Sequence, residues 1–237
     1  MKKRIISLLL VLLLSLSLCP AVFASSGQSL ENAAQVTTVV TGNDFTITKG
    51  TLRRGDVSEP VYLITLHGTT DGLSKHNNAV NYLLGLVPLN NSYFQFAKKT
   101  ILKNITEPNA KLLLAGHSQG GMVAQMLAGD AEMRSRYEII NVLACGSPYI
   151  PQLKREGTLH RLANLLDPIP VISSTMFGNY LLYVSFEASR PYSTLVGYHT
   201  NYEDEAVWGK YDCLGVKNGG AVFTPETGTL EFSLKIR

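Results

Sequence analysis

The sequence predicts an α/β domain, a mostly parallel sheet flanked by helices on both faces, and three observations predict it. First, Val61-Tyr62-Leu63-Ile64-Thr65-Leu66, Lys111-Leu112-Leu113-Leu114-Ala115 and Ile139-Ile140-Asn141-Val142-Leu143-Ala144 are almost wholly apolar. Strands buried on both faces read this way, because neither face meets water. Second, helical patterns stand between those runs, and strands alternating with helices imply crossover connections and a parallel sheet. Third, the chain from about Ser25 to Arg237 has the length of one such domain, with no internal repeat, low-complexity tract or linker.

The elements follow in order. Val36–Thr41 and Asp44–Thr48 are β-branched runs around Gly42-Asn43 and read as an opening hairpin. The strand Val61–Leu66 comes next. Ala79–Leu89 is apolar almost all round, broken only by Asn81 and Gly85. Such a helix either packs in the core or meets a lipid surface, and both readings stay open. From Tyr93 to Ile105, apolar Phe94, Ala97, Ile101 and Ile105 alternate with Gln95, Lys98, Lys99 and Lys103, giving a helix with one buried face. Strand Lys111–Ala115, a helix over Gly121–Ala128 and strand Ile139–Ala144 continue the alternation. Leu162–Leu166 is read as a further strand ending at Asp167-Pro168. Thr224–Gly228 reads as a hairpin turn, and alternating Leu230, Phe232, Leu234 and Ile236 make a one-sided edge strand.

The amino-terminal segment is a targeting signal by its pattern. Lys2, Lys3 and Arg4 precede the apolar run Ile5–Leu18, and Val22-Phe23-Ala24 offers a small-residue cleavage site. Residues 1–24 are therefore expected to leave as a secretory signal peptide, and residues 25–237 to form the domain. Of 21 Lys+Arg, 3 lie in that segment, which leaves 18 against 18 Asp+Glu and a formal charge of 0. The basicity of the chain is thus no nucleic-acid footprint. Cys145 and Cys213 remain. An oxidising compartment permits a bridge between them, but Cys145 ends an apolar strand and is expected to pack as a small hydrophobe.

The chemistry centres on Gly116-His117-Ser118-Gln119-Gly120, set between the strand Lys111–Ala115 and a helical stretch. Strand, G-x-S-x-G and helix make a nucleophile elbow, a strained turn that lifts a serine hydroxyl above the sheet end. Side chains at Gly116 and Gly120 would collide with the neighbouring strand and helix. The alternative is a glycine-rich turn whose serine only caps the helix. A nucleophilic serine needs a general base and an orienting acid, which follow the elbow as acid then histidine in α/β-hydrolases. Of five histidines, His67 and His76 precede the serine, His117 lies inside the elbow, and His160 precedes the best acid. His199 remains as the base. Asp167 is the acid, at a strand end where such sheets carry their chemistry, with Pro168 and Pro170 stiffening its loop. Oxyanion donors are expected from the backbone of Gln119 and from Thr69 in His67-Gly68-Thr69.

Four blocks carry a family resemblance: Leu113–Gly121, Ala144-Cys145-Gly146-Ser147-Pro148, Asn164–Pro170, and Gly197-Tyr198-His199 with Trp208 downstream. In this order the chain resembles the class 3 (fungal-type) lipases of the α/β-hydrolase superfamily over roughly Val61 to Trp208. The resemblance implies an α/β-hydrolase fold, a Ser118–Asp167–His199 triad, an oxyanion hole at Thr69 and Gln119, and a site rim at Gly146–Pro148. It also implies a lid in the position of residues 79–89, with transient contact to a lipid interface. Two positions depart from the pattern: Gln119 stands where Leu is usual, and His67-Gly68 where Arg-Gly is usual. The expected activity is hydrolysis of lipid esters of acylglycerol type through an acyl-enzyme, without cofactor or metal. A small ester, a thioester or a phospholipid would use the same triad. A secreted binding protein on a disarmed hydrolase fold is the reading from another class.

Overall fold

The computed structural model describes residues 28–42, 45–68, 91–150, 156–171 and 183–232. The amino-terminal segment 1–24, Thr69 and the run 79–89 lie outside the described residues. Among the described residues, eight strands form one sheet: β1 (Phe45–Arg54), β2 (Val57–Leu66), β3 (Lys111–His117), β4 (Glu138–Cys145), β5 (Thr158–Asn164), β6 (Val184–Glu187), β7 (Val222–Pro225) and β8 (Leu230–Phe232). Their order is β6-β5-β4-β3-β2-β1-β7, with β8 also on β1. From β2 to β6 every pairing is parallel, and β1 joins β2, β7 and β8 antiparallel. This is the mostly parallel α/β sheet that the apolar runs predict.

Two cores, one on each face, explain why those runs are almost wholly apolar. One holds Leu63, Leu113, Leu143 and Leu162 under helix α1 (Ala33–Gly42) and the aromatic residues Trp208, Tyr211 and Phe223. The other holds Ile64, Leu112, Leu114 and Val142 under α2 (Ser92–Asn104), α3 (Gln119–Gly129) and α4 (Ala131–Arg136). Successive strand residues alternate between the two. Cys145 and Cys213 are free thiols in the first core, where burial pushes both up to about 12.

Three segments differ from the sequence reading. The expected hairpin over residues 36–48 does not form, and Ala33–Gly42 is a helix. Ala33, Val36 and Val40 fall on one buried helical face, and tertiary packing there overrides the β preference of the valines and threonines. Thr37 and Thr38 satisfy their hydroxyls on the carbonyls of Ala33 (2.9 Å) and Ala34 (3.1 Å). The side chain of Asn32 accepts from the Gln35 N–H at 3.0 Å, an N-terminal cap. The hairpin that exists is β1–β2, with Arg54 opposite Val57. Its turn has Gly55 at φ 59°, the left-handed value that short hairpin turns use at their first central residue.

The strand expected over residues 162–166 lies earlier, at Thr158–Asn164, because Arg161 is buried and Leu165 and Leu166 are exposed. Hydrophobicity alone misplaced both ends. Nor is Thr224–Gly228 a hairpin turn. Strands β7 and β8 run in the same direction along successive lengths of β1, with residues 226–229 as the step between them. The tail strand does lie at an edge, paired only with β1 among the described residues, as its alternation predicts, and its last residues lie outside those described.

Candidate active site

Ser118 follows β3 directly and Gln119 opens α3. Its backbone sits at φ 54°, ψ −120°, a region that a side-chain-bearing residue adopts only under strain of about 1–3 kcal/mol. The flanking glycines make the turn possible. A Cβ on Gly116 would come within 2.5 Å of the Gly120 carbonyl oxygen, and one on Gly120 would overlap the Leu66 carbonyl. The elbow helix and β2 therefore approach each other backbone to backbone. The Ser118 side chain makes no capping bond to α3, which removes the reading of a simple helix-capping serine.

The structure brings Ser118, His199 and Asp167 together from three places in the chain. Ser118 Oγ lies 3.0 Å from His199 Nε2, and His199 Nδ1 lies 3.0 and 2.8 Å from the two oxygens of Asp167. A carboxylate accepts, so Nδ1 carries the hydrogen and Nε2 is left to accept the serine proton. All three residues are buried. His199 rides on the short helix α5 (Leu195–Thr200), whose entrance Thr194 caps by accepting from the Gly197 N–H at 3.2 Å. Asp167 follows β5, and its Oδ1 accepts the Ile169 N–H at 2.9 Å.

Several residues that the sequence reading left without a role fix these three. Tyr202 Oη donates to Asp167 Oδ2 at 2.7 Å and accepts the Asn164 N–H at 2.9 Å. Burial, then the adjacent carboxylate, push its phenol well above the usual range, so it stays a donor. Tyr202 stacks on buried Trp208, whose Nε1 donates to the Asn201 carbonyl at 2.9 Å. Trp208 belongs to α6 (Glu205–Trp208), and the Asp204 side chain caps that helix by accepting from the Ala206 N–H. Within Glu203-Asp204-Glu205, the helix-capping role falls to Asp204. The only sequence signal for Tyr202 is its place three residues after His199.

Gly146, Ser147 and Pro148, expected at the rim, follow β4 directly, and Gly146 lies against Asp167 and Tyr202. Gly146 takes φ 55°, and a Cβ there would meet the Tyr202 ring at 2.7 Å and Asp167 Oδ2 at 3.0 Å. Gln125, buried in α3, donates to the Pro148 carbonyl (2.8 Å) and accepts from the Ile150 N–H (3.0 Å). Buried Arg161 donates to the carbonyls of Ser147 (2.9 Å) and Pro170 (2.6 Å), joining that rim to the acid's loop. No sequence pattern marks a buried arginine as a loop clamp.

Of the expected oxyanion donors, Gln119 stands at the first residue of α3, where helix N–H groups point out of the helix end. Thr69 lies outside the described residues, but its neighbour Gly68 reaches the elbow. A Cβ on Gly68 would lie 3.1 Å from that of Ser118. A surface cavity of about 440 Å³ sits elsewhere, at the opposite strand ends between Arg54, Ile140, His160 and Asp212, and shares no residue with this constellation. No protein-family model matches the chain, and comparison with curated proteins and with solved structures finds no match.

Proposed function

We propose that this chain is a secreted serine carboxylester hydrolase acting on lipid esters, of the class 3 lipase type within the α/β-hydrolases. The observation that carries the reading is the chain of contacts from Ser118 Oγ to His199 Nε2, and from His199 Nδ1 to Asp167, on a strained elbow. In the proposed reaction, Ser118 Oγ attacks the ester carbonyl carbon while its proton passes to His199 Nε2. Asp167 holds the imidazole in the reactive tautomer and stabilises the imidazolium. The tetrahedral oxyanion accepts from the Gln119 N–H at the positive end of α3 and from the Thr69 backbone. Collapse expels the alcohol, which takes its proton from His199, and leaves an acyl-enzyme. Water then attacks the acyl carbon with His199 again as base, releasing the acid. No step asks for a cofactor or metal.

The lipid character of the substrate has its own support. Leu165 and Leu166, 61% and 55% exposed, immediately precede Asp167, and Leu195, 49% exposed, opens the helix of His199. Apolar side chains kept in water on the loops of both acid and base suit an apolar acyl chain or a lipid surface. The same triad on a small ester, thioester or phospholipid is the alternative within enzymes.

A fluorophosphonate probe tests the reading. The wild type is expected to label once, and Ser118→Ala not at all while keeping its circular dichroism. Labelling that persists in Ser118→Ala makes another group the nucleophile, and a wild type that never labels fits a binding protein instead. Initial rates on p-nitrophenyl esters of rising chain length then decide between lipid and short-chain substrates.

A further inference from the structure

His117 precedes the nucleophile, and none of the proton transfers above uses it. It is buried, and its Nε2 lies 2.8 Å from the backbone carbonyl oxygen of His199. A carbonyl only accepts, so the hydrogen sits on Nε2 and His117 is the donor. That carbonyl is among the last four of α5, which have no partner within their own helix. A six-residue helix outside the sheet is a weak platform for a general base, and here a side chain from the end of β3 ties it to the sheet.

We propose that His117 is a positioning residue for the base: by donating Nε2–H to the His199 carbonyl, it fixes the backbone that aims His199 Nε2 at Ser118. This inference rests on the hydrolase reading above. Its geometry is a wedge. The His117 ring packs 4.8 Å from the His199 ring at 37°, and 5.5 Å from the Tyr202 ring. On the side of the loop after β2, a Cβ on Gly68 would lie 3.1 Å from His117 Nδ1. One residue therefore separates and spaces the oxyanion loop, the elbow and the base helix.

The titratable groups around it are His199 on α5, His67 in the loop after β2, Tyr202 after α5, and Cys145 beside it in register on β4. Burial, then the neighbouring His199, hold the His117 imidazole neutral well below its ordinary range. Neutrality suits the role, because a second cation beside His199 would oppose the imidazolium formed in the transition state.

Three variants test the donor separately from the ring. His117→Phe keeps a ring and removes the N–H, His117→Asn is too short to reach, and His117→Gln keeps an N–H at nearly the same reach. Readouts are kcat and KM on a p-nitrophenyl ester, and the downfield proton resonance of the hydrogen bond between His199 Nδ1 and Asp167. His117→Phe is expected to lower kcat by about 10- to 100-fold with little change in KM. Its downfield resonance should shift or broaden, and His117→Gln should restore most of both. If His117→Phe does not fold, by circular dichroism, His117→Asn carries the same expectation. Wild-type kcat and an unmoved resonance in the donor-less variant overturn the proposal, as do equal losses in Phe and Gln. If the wild type takes no fluorophosphonate label, the hydrolase reading fails, and the resonance alone decides whether His117 positions His199.

Discussion

At the scale of single residues, the site depends on a buried carboxylate surrounded by donors. Asp167 meets His199 Nδ1, the Tyr202 hydroxyl and the Ile169 N–H. A carboxylate taken out of water is tolerable only with donors on its lone pairs. Tyr202→Phe removes one of them and also leaves the Asn164 N–H without its acceptor. That variant should be destabilised by about 1–3 kcal/mol, read from the shift of its urea midpoint at unchanged slope. A shift near zero would mean that water replaces the hydroxyl. In the proposed reaction, Asp167→Asn and His199→Ala act on proton transfer rather than on substrate binding. Each should reduce kcat by about 10⁴-fold, with far smaller changes in KM. A loss below about tenfold in Asp167→Asn would move the acid elsewhere, and initial rates at saturating substrate measure it.

At the scale of elements, the β3–elbow–α3 unit is built from close backbone contact. Gly120 lies against the Leu66 carbonyl of β2, where no Cβ fits. A methyl group there must push α3 away from β2 and disturb Ser118, the proposed nucleophile, with it. Gly120→Ala should therefore cost about 3 kcal/mol or more and lose activity in any fraction that folds. Gly220 is the control, since a Cβ there meets nothing within 4 Å and its φ is not in the left-handed region. Gly220→Ala should leave the melting temperature near that of the wild type. Equal melting temperatures for the two variants would show that the elbow relaxes at no cost. Helix α1 carries the same lesson from the opposite direction. Its valines and threonines favour a strand, yet burial of Ala33, Val36 and Val40 over β2 and β3 decides for a helix.

For the whole molecule, the far edge of the parallel sheet is fastened by Glu187. This β6 residue accepts from Lys210 (2.6 Å), Tyr211 (2.6 Å) and Lys217 (3.0 Å), which tie β6 to the segment after α6. Burial opposes the charge, but these three donors outweigh it and bring the carboxyl down to about 2. A carboxyl depressed in the folded state binds its proton more readily when unfolded. Its contribution is thus complete above the ordinary value of 4.5 and is lost as pH falls from there toward 2. Unfolding midpoints across that window should fall more steeply for the wild type than for Glu187→Gln, with the two curves converging at the acid end. Parallel curves would show that the cluster adds nothing to the acid limb.

The sequence by itself determined the layers of this protein and the three residues at its centre. Almost wholly apolar runs separated by helical patterns fit strands covered on both faces, and the parallel pairing of β2, β3 and β4 follows from them. The elbow is also local, because its glycines and serine are adjacent in the chain. Asp167 and His199 follow by elimination among few candidates in a fixed order, and the structure sets His199 within hydrogen-bonding distance of both Asp167 and Ser118. Only the tertiary structure decided the rest. Helix α1, the true β1–β2 hairpin, and the step from β7 to β8 are set by what packs over the sheet, which no window of local sequence contains. The same holds for His117, Tyr202, Gln125 and Arg161. A lone polar residue looks alike on the surface and in the core, and its role appears only when a distant backbone group comes within reach of it.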